Sequence, residues 1–103
     1  MSQYSVNTLF FDVLLDKFAA CLRRMGIDRG KDEACRSMIE FANKQAEPRM
    51  NDPWSELHLG IRSFVTSMEE AIRCATEEGR RIHLANARYH LDLLRCWVKA
   101  FRA

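Results

Sequence analysis

The stretch 80-RRIHLANARYHLDLLRCWVKAF-101 decides how the chain is read. Ile82, Ala85, Tyr89, Leu93, Cys96 and Ala100 recur at three- and four-residue steps, and Leu84, Ala87, Leu91, Leu94, Val98 and Phe101 make a second such row. That period is the period of a helix, and two rows give it a wide apolar surface. A third row, Arg81, Arg88, Arg95 and Arg102, repeats every seven residues, with Lys99 one turn beyond Arg95. The stretch therefore predicts a long helix that packs on one side and carries a cationic ridge on another.

The segment before it is acidic. Residues 54–79 hold Arg62 and Arg73 against Glu56, Glu69, Glu70, Glu77 and Glu78, whereas residues 80–103 hold six cations against Asp92 alone. The whole chain carries a net charge of only +2, so its total charge names no partner and the distribution carries the information. Its 103 residues are enough for one domain, since domains commonly run to about 100–150 residues. At 48% hydrophobic and 29% charged residues, the composition is that of a globular chain and excludes disorder and a membrane-spanning class. The uncharged start, Met1 to Phe11, has no basic flank and no small-residue cleavage site, so it is expected to begin a helix of a cytoplasmic protein. Cys21, Cys35, Cys74 and Cys96 include no CxxC pair, and each lies in or beside an apolar row, as reduced buried thiols do.

Upstream, a first helix is expected to start between Tyr4 and Thr8, with Ser5 or Asn7 as cap, and to run to about Met25. Val6, Leu9, Phe10, Val13, Leu14, Phe18, Cys21, Leu22 and Met25 form its apolar row, and Gly26 is its expected stop. After a turn over residues 27–31, a second helix is expected from about Asp32, read as its cap, to Ala46. Its inner residues would be Ala34, Cys35, Met38, Ile39, Phe41 and Ala42. Pro48, Asn51 and Asp52 interrupt the chain, and Asp52–Pro53 has the form of a helix cap and first residue. The row Leu57, Ile61, Phe64, Val65, Met68, Ala71, Ile72 and Ala75 carries the third helix to Gly79. Gly79 either turns a hairpin or sits inside one helix from Pro53 to Arg102. The hairpin is favoured, because a continuous helix would run about 75 Å at 1.5 Å per residue. Two such hairpins and no alternating strand pattern predict an all-α fold, an antiparallel four-helix bundle over residues 1–103. Because the last helix is apolar on more than one face, Tyr89, Leu93 and Trp97 are expected at an oligomer interface.

The run from Leu59 to Phe101 resembles the C-terminal half of the accessory variability determinants, small four-helix proteins encoded with diversity-generating retroelements. The matching positions are Leu59, Gly60, Arg62, Ala71, Ile72, Leu84, Ala85, Leu91, Asp92, Leu94, Arg95, Lys99 and Ala100. Leu9, Phe10 and Phe11 echo the family's aromatic start, whereas the turn from Gly26 to Lys31 lacks the family's proline. The resemblance implies a positively charged bundle assembled into a ring-like homo-oligomer, a pentamer in that family. Such a bundle binds reverse transcriptase and template RNA, or RNA/DNA, and supports mutagenic retrohoming without catalysing a reaction.

Arg80, Arg81, Arg88, Arg95, Lys99 and Arg102 are the candidate nucleic-acid-binding residues. Guanidinium groups at roughly 10 Å spacing suit a phosphate backbone, because each neutralised phosphate releases condensed counterion. The plainer reading is a solvated surface, with Asp92 within helical reach of Arg88 and Arg95. Trp97 is read as a packing anchor, with base stacking or an interface plug as the functional alternatives. His83 and His90 lie about 10 Å apart, too far to share a metal ion, and no Glu-x-x-His pair is present. With no nucleophile elbow, Gly-rich phosphate loop or Cys/His constellation, neither enzyme activity nor a metal or cofactor is expected. The competing expectation is a protein-interaction bundle, an adaptor or antitoxin-like partner with no nucleic-acid role.

Overall fold

Polar side chains, rather than glycines, set the helix boundaries at the two described links. The computed structural model describes residues 3–45 and 55–102, with side chains at 9–44 and 57–100. Four α-helices and no strands occur among them: α1 (Gln3–Ile27), α2 (Asp32–Gln45), α3 (Ser55–Arg73) and α4 (Glu77–Arg102). α1 already begins at Gln3, so Ser5 and Asn7, expected as its caps, lie inside the helix; the cap expected at Asp52–Pro53, the helix end at Ala46 and the side chains of Trp54, Phe101 and Arg102 lie outside the described residues and side chains.

α1 does not stop at Gly26. It continues through Ile27, and no glycine takes a left-handed backbone. Asp28 ends it instead: its backbone is extended (φ −155°, ψ 124°), and its carboxylate accepts from the Gly30 N–H at 2.9 Å. A 3₁₀ turn, Arg29–Lys31, follows and leads directly into α2. Asp28 therefore holds the capping position expected of Asp32, which is already helical (φ −56°, ψ −43°), leaving its carboxylate for another use. At the second link, α3 ends at Arg73 and α4 begins at Glu77, so the helix does break as the hairpin reading requires. The break precedes Gly79, however. Thr76 Oγ1 accepts from the Gly79 N–H at 3.1 Å and caps α4, placing Gly79 inside the first turn. A Cβ on Gly79 would sit 2.5 Å from Cys74 Sγ, so the link folds this tightly only around a glycine.

The core is built from one stripe of each helix. Phe11, Leu14, Leu15, Phe18, Leu22 and Met25 line the inside of α1. Leu9, Phe10 and Val13, expected in that row, face outward, because the buried residues all fall within one narrow sector at 100° per residue and these three fall beyond it. α2 gives Cys35, Ile39 and Ala42, with Ala34 and Phe41 outside. α3 gives Leu57, Ile61, Phe64, Val65, Met68 and Ala71. Phe18 and Phe64 stack at 4.4 Å with nearly parallel rings at the centre. The contacts run α1–α2, α2–α3, α3–α4 and α4–α1, so each helix touches two neighbours around a shared core of the kind a helical bundle has. α3 and α4 approach closely at Gly60, where an added Cβ would lie 2.6 Å from Leu94 Cδ2. The body measures 48 × 23 × 21 Å.

Candidate polyanion-binding face

α4 divides its residues among three directions. Leu84, Ala87, Leu91, Leu94 and Val98 point into the core. Arg80 belongs to this inner row, at the 4–3–4–3–4 spacing 80, 84, 87, 91, 94, 98, and is 2% exposed. Its Nη1 and Nη2 donate to Asp32 Oδ2 and Oδ1 at 2.8 and 2.7 Å. Nη2 also donates to the Met25 carbonyl at 2.7 Å, and Nη1 to the Ala71 carbonyl at 3.3 Å. The Asp32 hydrogen bond pushes the Arg80 pKa up against the opposing effect of burial, so the guanidinium stays charged. One side chain thus ties together the end of α1, the start of α2, the end of α3 and the start of α4. Arg80 is removed from the candidate nucleic-acid-binding residues: a guanidinium enclosed by a carboxylate and two carbonyls is not available to an outside anion. Arg29 joins the two links at this same end, donating to the Cys74 carbonyl at 2.8 Å.

The remaining described cations of the ridge lie on the edge of α4 that faces α1. Arg81, Arg88, Arg95 and Lys99 are all exposed. Arg88 lies 3.9 Å from Asp92, and Arg95 lies 3.4 Å from Asp16 of α1. An open groove between the helices is lined by Asp16, Arg23, Arg88, Asp92 and Arg95 over a floor that includes Leu22 and Leu91. Arg23 and Asp16 were not singled out in the sequence, because only the packing of α1 beside α4 brings them to this edge. Both ion pairs are solvated, and such pairs contribute about 0–1 kcal/mol, so an arriving phosphate can displace the carboxylates at little cost.

Tyr89, Leu93 and Trp97 point in the third direction, away from the core, at 60%, 39% and 42% exposure. Trp97 follows Arg95 by two residues, about 200° around the helix, so it is not beside the ridge as base stacking with it would need. His83 and His90 are displaced from Arg81 and Arg88 by the same angle and are half-buried, His90 edge-on to Tyr89 with ring centres 5.5 Å apart. His58, not considered in the sequence, is buried with its ring 6.1 Å from Phe11. No group of three or more His, Cys, Asp or Glu side chains that could hold a metal occurs among the described residues. No described helix is long and apolar enough to cross a membrane. Compared with protein-family models, characterised proteins and solved structures, the chain matches none.

Proposed function

We propose that the chain is a non-enzymatic accessory protein, an antiparallel four-helix bundle whose α1–α4 edge binds a polyanion. In line with the resemblance at Leu59–Phe101, the polyanion is the template RNA of a diversity-generating retroelement, and the reverse transcriptase is the protein partner that the bundle assists. The observation that carries the reading is the row Arg81, Arg88, Arg95 and Lys99, exposed along one edge with Arg23 across the groove. The acids paired with Arg88 and Arg95, Asp92 and Asp16, are themselves solvated and hold them weakly.

The test is RNA binding measured against salt for the native chain and for Arg81→Gln/Arg88→Gln/Arg95→Gln. Three lost phosphate contacts on a single strand reduce the slope of log K against log salt by about 2. An unchanged affinity and slope overturns the reading. A second reading, a protein-interaction bundle, is favoured by the carboxylates already opposite Arg88 and Arg95. Salt-independent capture of a protein with no retained RNA would establish it instead.

A further inference from the structure

The groove between α1 and α4 carries carboxylates that a surface built only for phosphates would lack. It measures about 740 Å³, within the range of about 300–1,000 Å³ in which proteins take small organic groups. Its walls are charged, with Asp16 and Arg23 from α1 and Arg88, Asp92 and Arg95 from α4. Its floor is apolar, with Leu22 and Leu91 buried and Ala19 half-buried. Gly26 also lines it, and where its Cβ would stand nothing lies within 4 Å, so the floor is open at that end. An acid beside a phosphate repels it and weakens binding, so Asp16 and Asp92 are a cost unless they meet a different part of the ligand.

We propose, resting on the polyanion reading above, that the groove seats an unpaired guanine of a single RNA strand and that Asp92 selects it. The order follows from the charges. A phosphate of the strand takes the Arg88 guanidinium, whose hold on Asp92 is loose at 3.9 Å. Once a base covers the apolar floor and displaces water, the Asp92 carboxylate needs hydrogen-bond donors in place of the guanidinium and the solvent. The Watson–Crick edge of guanine presents two adjacent donors, N1–H and the N2 amino group, which match the two oxygens of one carboxylate. Adenine and cytosine offer one amino group beside a ring-nitrogen acceptor, and uracil one N–H between two carbonyls, so each turns an acceptor towards Asp92. The face of the base rests over Ala19, and Arg23 on the α1 wall meets the phosphate on its other side. In a duplex the pairing base occupies this edge, so the ligand is a single strand. Asp16 is the natural comparison, because it is held more closely, at 3.4 Å from Arg95.

Fluorescence anisotropy of the full chain with short labelled RNA strands of alternating UG, UA and UC, at one salt concentration, tests it. The native chain is expected to bind the UG strand about tenfold tighter than the other two, the discrimination of one bidentate base contact. Asp92→Asn removes the paired acceptors and also a repelling charge, so it should tighten the UA and UC strands while losing the preference for UG. A merely structural role would weaken all three. Asp16→Asn should tighten all three and keep the preference. Equal binding of the three strands by the native chain overturns the guanine assignment and leaves the polyanion reading standing, whereas binding of none of them overturns both. A preference that survives Asp92→Asn overturns the role given to that carboxylate.

Discussion

Arg80 and Arg81 are adjacent in the chain and opposite in environment. Arg80 falls in the inner row of α4, loses its water, and is held by Asp32 and two main-chain carbonyls drawn from three other helices. Arg81, 100° further round the helix, stays in solvent on the edge that faces α1. The difference separates two uses of one residue type. At the bundle end, a dehydrated guanidinium fixes where four helix ends meet. Along the α1–α4 edge, hydrated guanidiniums in weak pairs remain exchangeable and free to meet another anion. A tally of basic residues counts both alike.

The largest expected effect is at the enclosed end. Asp32→Ala leaves the Arg80 charge without its carboxylate and should lower unfolding stability by roughly 3–5 kcal/mol in denaturant titration. Joint replacement, Asp32→Leu with Arg80→Met, should recover part of that loss. A change for Asp32→Ala no larger than for a surface carboxylate would end the contrast between Arg80 and Arg81.

The tight side of α4, against α3, comes next. Gly60→Ala pushes a Cβ onto the buried Leu94 side chain, and overpacking of this kind costs about 1–3 kcal/mol, against about 1 kcal/mol gained from better helix propensity. A net loss is expected in the denaturation midpoint, relieved by adding Leu94→Val.

The cysteines repeat the contrast between inside and outside. Burial first, and then the hydrogen bond with Cys35, push the Cys21 thiol up to about 12 from its ordinary 9.0. The folded state therefore keeps the proton that the unfolded state releases. This contribution to stability is complete below about pH 9 and is lost as pH rises towards 12. Denaturation midpoints should fall over that range, and less steeply in Cys21→Ala. In the native state at neutral pH, a thiol reagent should label exposed Cys96 at once and reach Cys21 and Cys35 only on unfolding.

The smallest effect belongs to the open edge. Asp16→Asn removes the carboxylate facing Arg95 and should change stability by no more than about 0.5 kcal/mol in a thermal melt, since both groups are solvated. A loss of several times that size would mean that the edge, too, is structural.

Much of the fold was legible because periodicity reports burial directly. The rows through Phe64 and Met68 on α3 and through Leu91 and Leu94 on α4 are buried where their spacing placed them. α1 was read less well. Seven hydrophobic residues among positions 6–15 leave the direction of its inner face ambiguous, and the choice between Phe10 and Phe11 was made by packing against the other helices. The links misled for a different reason. Gly26 and Gly79 are plausible stops, but Asp28 and Thr76 compete for the same role by accepting backbone N–H groups, and the side-chain caps set the boundaries.

The candidate site was half legible. Arg81, Arg88, Arg95 and Lys99 declare themselves by spacing, and the clue that Arg80 stands apart was also present, since it keeps step with Leu84, Ala87 and Leu91. The amino-acid order alone determined the helical class, the four-helix count, the inner stripe of α3 and the cationic ridge, because each rests on residues within a few turns of one another, whereas packing chose the Leu84–Val98 row of α4 over the equally apolar row through Ile82 and Leu93, which is exposed. The tertiary structure decided which cation is enclosed, that Asp32 receives it across 48 positions, and that Asp16 and Arg23 share the groove with Arg88 and Arg95. Those outcomes depend on which helices become neighbours, and neighbours distant in the chain are selected by the shape and dehydration of the shared core rather than by any local pattern.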